Sequence, residues 1–326
     1  MADLQKYFKE FHDEIRLGYG DNSVLLEKRD TVRRDLRIGL RKMFGAKYPK
    51  FTYFNQGSYA LGTGVYPLDG DYDIDIGIVF QINRKEFSPT QLKGWVHDAL
   101  NTKNRTVYYK RPCLSVQYHQ AGEAAYHIDL AVYTKEVNAF FDTKTYYIAK
   151  GYEGSEDKYK LWESAEPFEL LDRIKKKFAD AEDRAQFRRI IRYLKRWNDL
   201  NFYSDGHAKP RGIAITALAY KLFRPNKSYD WQLGKYRYND LKALRGFVSS
   251  IIRSFDWFDN IAVKLPVKPY NNLFDKMTNK QMKDFKTRLS SLKNTLDAAV
   301  NEKDIEEACY SLWQEFGDDF PTPGYD

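Results

Sequence analysis

The stretch DIDIGIVF (73–80) alternates strictly, the pattern of a strand with two unlike faces. Side chains along a strand point alternately to opposite faces, so Ile74, Ile76, Ile78 and Phe80 share an apolar face. Asp73 and Asp75 then project together from the other face. Two carboxylates that close repel each other, and neither stays readily ionised without a cation between them. A hard divalent cation with oxygen ligands resolves the conflict. A solvated sheet edge also carries such a pair, so the octet alone leaves both readings open.

Reading outward, AYHIDLAVY (125–133) follows the same logic. Tyr126, Ile128, Leu130 and Val132 face a core, which puts Asp129 on the opposite face beside His127. If this strand neighbours 73–80, three carboxylates meet on one surface, an arrangement that suits two metals about 4 Å apart. Upstream, FTYFNQ (51–56) reads as a strand and GSYALGTGVYPLDGDY (57–72) as a loop, or a loop with a short helix. Gly57-Ser58, closing a strand, can offer backbone N–H groups and a hydroxyl to a triphosphate. No GK[ST] follows and no GxGxxG is present, which excludes a Walker A loop and a dinucleotide fingerprint.

Helical spacing marks 23–44, with Ser23 as N-cap, and 88–101; further strands are expected at 105–110 and 113–119. From about 151–166 onward nearly everything reads as helix, at about 167–178, 182–200, 212–223, 237–255, 277–300 and 303–316. A strand-rich half followed by a helical half predicts an α+β fold with two lobes. The expected division is a core lobe with N-terminal helices over 1–160 and a helical lobe over 161–326. Missing crossover helices argue against a doubly wound parallel sheet.

A length of 326 residues suits a large domain or two packed lobes. Hydrophobic and aromatic fractions of 43% and 16% supply a substantial core and exclude a disordered chain. The net charge of +8 is compatible with a polyanionic partner and equally with an ordinary basic surface. Cys113 and Cys309 form no CxxC pair or Cys/His cluster, which argues against structural zinc and a disulfide framework. His12, His97, His119 and His207 show no metal spacing. The stretch MADLQKYFKEFHDEIR (1–16) is amphipathic without a secretion-type apolar region, and nothing approaches the ~20 apolar residues of a membrane span. A soluble, cytoplasmic protein with no membrane partner is expected. The end, FPTPGYD (320–326), reads as a flexible tail.

NQGSYALGTGVYPLDGDYDIDIGIVF (55–80) followed by YHIDLAVY (126–133) resembles the nucleotidyltransferases of the polymerase-β superfamily. Within it, the chain is most similar to the bacterial CD-NTases, relatives of cyclic GMP–AMP synthase and of the DncV-type dinucleotide cyclases. The spacer of 14 residues between Ser58 and Asp73 supports that side of the superfamily. The resemblance covers the first half strongly and the helical half loosely. It implies a polymerase-β-like mixed-sheet core lobe, a C-terminal helical lobe and an interlobe cleft. It also implies Mg2+, or Mn2+ in its place, on Asp73, Asp75 and Asp129, with ATP and/or GTP as substrates and Gly57-Ser58 on their phosphates.

The family tends to carry a triphosphate-contacting lysine on a helix of the second lobe, and FRRIIRYLKRWNDL (187–200) is the matching segment. Phe187, Ile190, Ile191, Leu194 and Trp197 trace its buried face, with Arg188, Arg192 and Lys195 beside it. Lys195 is the candidate phosphate ligand; a solvated basic face is the competing reading. KPRGIAITALAY (209–220) resembles a segment that usually reads Pro-Ser-Gly, so Arg211 replaces the customary hydroxyl with a guanidinium that can itself bind phosphate. Tyr59, Tyr66 and Tyr203 are aromatic candidates for base stacking, none of them assigned.

The function implied is a cyclic dinucleotide synthase, or a trinucleotide synthase, producing a second messenger for antiphage (CBASS) signalling. Regulatory protein or ligand partners of a defence operon are expected, and a double-stranded DNA sensor is not. The alternatives are a transferase adding NMP to an RNA end, a small molecule or a protein, and an inactive nucleotide-binding module.

Overall fold

The 73–80 octet lies inside a seven-stranded mixed sheet. The computed structural model describes residues 3–17, 23–70, 72–102, 104–118, 126–138, 140, 143–202 and 209–323. Tyr203, His119, His207 and the last three residues lie outside the described residues.

The chain opens with α1 (Gln5–Ile15), the two-residue β1 (Arg16–Leu17) and the long α2 (Ser23–Phe44). Next come β2 (Phe51–Asn55), a single helical turn α3 (Gly57–Leu61), β3 (Gly64–Val65) and β4 (Tyr72–Phe80). Then follow α4 (Pro89–Leu100), β5 (Arg105–Tyr109), β6 (Leu114–Tyr118), β7 (Tyr126–Asn138), β8 (Thr143–Lys150) and β9 (Leu161–Ala165). The sheet runs β2-β4-β7-β6-β5, with β8 joined to β7 and β9 to β8. β4 and β7 pair in parallel, whereas β2, β6 and β8 join antiparallel.

Alternation gives β4 its two characters. Ile74, Ile76, Ile78 and Phe80 are buried against Leu36 and Leu40 of α2 and Leu92 and Val96 of α4, together with Ile128, Leu130 and Val132 of β7. Burying each such side chain contributes about 1.5–3 kcal/mol, which holds the sheet against its two helices. The opposite face carries the carboxylates at one end. At the other end it is closed by Val79, Ala131, Tyr133 and Ala165 with Phe54 packed on them.

The second half contains α5 (Pro167–Lys175), α6 (Ala181–Asn201), α7 (Gly212–Leu222), α8 (Asp240–Ile252), α9 (Asn279–Asn301) and α10 (Ile305–Phe316) around one apolar core. Caps define their starts: Asp180 accepts from the Asp183 N–H, Asn239 from Lys242, and Thr278 forms a capping box with Gln281.

Four findings differ from the sequence reading. The helix expected over 237–255 begins only at Asp240, because 227–238 form a hairpin, β10 (Lys227–Asp230) with β11 (Lys235–Tyr238). Phe320 is buried against Phe8, Phe11 and Phe316, so the stretch from 320 does not begin as a free tail. Leu4, the N-cap of α1, and Phe8, Phe11 and Ile15 within it join the helical core rather than the sheet lobe. We propose a division near residue 166, after β9 rather than at 160, with α1 reassigned to the helical lobe. β8 and β9 extend the sheet beyond what periodicity indicated.

Candidate active site

In the parallel ladder of β4 and β7, Asp75 stands directly opposite Asp129 and Asp73 opposite His127. Each of the three carboxylates offers an oxygen, and these atoms all lie within 4.8 Å of one another. Asp73 is exposed, while Asp75 and Asp129 are partly covered. The condition that the sequence left open, adjacency of the two strands, is met by this pairing.

The turn before α3 is pinned to this pair of strands. The Gln56 N–H donates to the Asp75 carbonyl at 3.0 Å, and the Gln56 side chain accepts from the Tyr133 hydroxyl at 3.1 Å. Gly57 follows at φ +66°, and a Cβ there would stand 1.8 Å from Asp75 Oδ2. Glycine is therefore required twice, by left-handed backbone and by the approach to a carboxylate. Ser58 is partly buried in the same turn, and its carbonyl accepts from the Thr63 N–H at 2.9 Å.

Thr63 links this turn to the helical lobe. Lys195, buried on α6, donates to the Thr63 carbonyl at 2.9 Å and approaches its hydroxyl at 3.4 Å. One turn earlier, Arg192 donates to the Gly64 carbonyl at 2.9 Å and to His12 Nε2 at 3.0 Å. Arg192 and Lys195 are thus drawn under the loop leading to β4, and neither is part of a solvated stripe. Burial brings Lys195 down to about 8, with Arg192 adding to the effect and Asp199 and Asp75 opposing it. Arg211 is exposed and forms the N-cap of α7 through its backbone. Tyr59 belongs to the core beneath the sheet, and Tyr66 packs edge-on against Tyr72.

The structure adds residues that sequence reasoning missed. Lys110, just past β5, places its ammonium 3.1 Å from both oxygens of Asp129. The Cys113 thiol lies 3.4 Å from Asp129 Oδ2. The turn that carries both is held by the fully buried Lys93, which donates to the carbonyls of Lys110 (2.6 Å), Arg111 (3.3 Å) and Gly151 (2.8 Å). No local pattern signals these contacts, because each joins elements that are distant in sequence.

Burial and then the charge of Asp129 push Asp75 up to about 6, partly offset by Lys195 and Lys110. Burial, followed by Asp129, raises the Cys113 thiol and keeps it protonated. Burial disfavours the Lys110 ammonium, but Asp129 outweighs that and leaves it above its ordinary value. A cluster of three hard oxygen donors, carrying more carboxylates than the single Lys110 ammonium can neutralise, fits Mg2+ or Mn2+, and the protonated thiol is not a ligand for either.

A profile described as "Cyclic GMP-AMP synthase DncV-like, nucleotidyltransferase domain" matches residues 50–133, which include Gly57, Ser58 and all three aspartates. Over that stretch the chain is similar to the nucleotidyltransferase domain of the DncV-like cyclic GMP-AMP synthases. A cyclic GMP-AMP synthase from Escherichia albertii is 25% identical over 217 residues, 64% of this chain. The match spans 44% of that relative. The solved Vibrio cholerae DncV cyclic AMP-GMP synthase superposes with a TM-score of 0.74 at 15% identity, covering 98% of each chain. The Bradyrhizobium diazoefficiens CD-NTase CdnG in complex with GTP superposes at 0.72 and 16% identity, covering 97% of this chain and 96% of the other. At such identities these likenesses speak for the fold, the polymerase-β-like α+β architecture of the CD-NTases. Among the described residues, no helix is long and apolar enough to cross a membrane.

Proposed function

We propose that this protein is a CD-NTase that condenses ATP and/or GTP into a cyclic dinucleotide or trinucleotide second messenger, holding Mg2+ (or Mn2+) on Asp73, Asp75 and Asp129. The observation that carries the reading is the convergence of these three carboxylates within 4.8 Å on adjacent parallel strands. The relatives' chemistry supports it: CdnG is known with GTP, and DncV with the linear intermediate pppA(3′,5′)pG.

Bound divalent metal would supply Lewis-acid activation of the attacking hydroxyl and charge neutralisation on the departing pyrophosphate. Gly57 and Ser58 bind the β,γ-phosphates, with Lys195 as a cation behind them and Arg211 at the rim. Asp129 takes the proton of the acceptor ribose hydroxyl. The new bond forms between that oxygen and the α-phosphorus, the α–β bridge breaks, and pyrophosphate leaves. A second transfer within the linear product closes the ring; a third nucleotide added before closure gives a trinucleotide. The reading places the protein in the cytoplasm, in antiphage (CBASS) signalling under the control of a regulatory partner from a defence operon.

The test incubates the purified protein with labelled NTPs, singly and in pairs, with Mg2+ or Mn2+, followed by phosphatase and separation of products. A phosphatase-resistant product from the wild type, absent from Asp73→Asn and Asp75→Asn, is expected. Product that forms only with added RNA would replace cyclisation with end addition, and absence of NTP consumption under every condition would overturn nucleotidyl transfer.

A further inference from the structure

Asp129 already has a cation. The Lys110 ammonium sits 3.1 Å from each of its oxygens, a symmetric contact that neutralises one carboxylate of the cluster. The two ends of this lysine are held differently. Its backbone carbonyl is clamped by the buried Lys93 ammonium at 2.6 Å, so the base of the side chain is anchored. Its own side chain is 48% exposed, so the four-carbon stem can carry the charge into solvent at little cost. Asp129, at 14% exposure, has no comparable freedom. A divalent cation on either Asp129 oxygen and an ammonium bridging both repel each other and compete for the same lone pairs.

We infer that Lys110 is an exchangeable counter-ion of the metal site: it neutralises Asp129 while no divalent cation is bound, and divalent metal must displace it. This rests on the assignment of Asp73, Asp75 and Asp129 as metal ligands. Lys110 is thus a positioning residue that competes with the metal. A purely supporting role predicts the opposite effect of its removal, since loss of support would weaken metal binding.

The test measures Mn2+ binding to the full chain, without nucleotide, by calorimetry or by the electron paramagnetic resonance of free Mn2+. Lys110→Met is expected to bind Mn2+ about two- to fivefold more tightly than the wild type, the range for losing a partly exposed ion pair. Lys110→Arg, which keeps the charge, is expected to bind no more tightly than the wild type. Unchanged or weaker binding by Lys110→Met, with Asp75→Asn still abolishing it, overturns the counter-ion role and leaves the metal assignment standing. Wild-type affinity in Asp75→Asn overturns both.

Discussion

Substituting Gly57 by alanine separates two demands that the fold makes on one residue. The backbone demand is ordinary: forcing an L-residue to φ +66° costs about 1–2 kcal/mol. Gly45, at φ +62° with nothing within 4 Å of an added Cβ, carries that cost alone and is the matched control. The second demand is particular to the site. A Cβ at Gly57 would stand 1.8 Å from Asp75 Oδ2 and 2.6 Å from its Cγ, whereas contacts under 3.0 Å essentially do not occur. Asp75 or the α3 turn must therefore withdraw by about 1.2 Å to clear it. Misplacement of a reacting constellation by about 1 Å can cost ~100-fold in rate. Urea denaturation is expected to show a loss of about 1–2 kcal/mol for Gly45→Ala and a larger one, by about a further 1–3 kcal/mol, for Gly57→Ala. Pyrophosphate release is expected to be unchanged in Gly45→Ala and to fall ~100-fold or more in Gly57→Ala, with weaker Mn2+ binding. Turnover in Gly57→Ala as high as in Gly45→Ala would show that the added Cβ leaves Asp75 in its working position.

Two further outcomes concern the joints of the helical lobe. Asp240, fully buried, accepts from Arg189 at 2.6 and 2.9 Å and from Gln186 at 3.0 Å, so Asp240→Asn leaves a buried guanidinium uncompensated; a loss of about 3–5 kcal/mol in urea denaturation is expected, and a loss below about 1 kcal/mol would contradict it. His12 must be neutral to accept from Arg192, and burial followed by that charge lowers it from 6.5 to about 4. Between those values the unfolded chain binds a proton that the folded chain does not, so stability falls as pH drops from 6.5 to about 4, by about 3 kcal/mol over the window. His12→Gln is expected to flatten that part of the pH dependence, and identical slopes for both proteins would exclude the assignment.

Much of the site was legible because its geometry is local. Strict alternation places Asp73 and Asp75 on the face opposite Ile74, Ile76 and Ile78, and the same rule sets Asp129 opposite Ile128 and Leu130. Helical spacing in 187–200 correctly marked Phe187, Ile190, Ile191, Leu194 and Trp197 as core. It could not say where the flanking cations go. Arg192 and Lys195 lie beneath the 63–64 loop because that loop offers carbonyls to a buried surface, a fact of packing between lobes. Likewise α1, amphipathic in isolation, has no sequence signal for which core its apolar face joins, and the helical lobe claims it.

Local alternation is enough to say which side chains share a face: two aspartates on one strand, one on another, each opposite an apolar row. That β4 and β7 lie side by side, in parallel and with Asp75 opposite Asp129, emerges only from the folded chain. Folding alone brought Lys110 onto Asp129 and Gly57 against Asp75. The physical reason is the range of the forces. Side-chain direction follows from backbone geometry over two residues, whereas strand pairing joins segments separated by 54 residues and is settled by competition among long-range hydrogen bonds and buried surfaces.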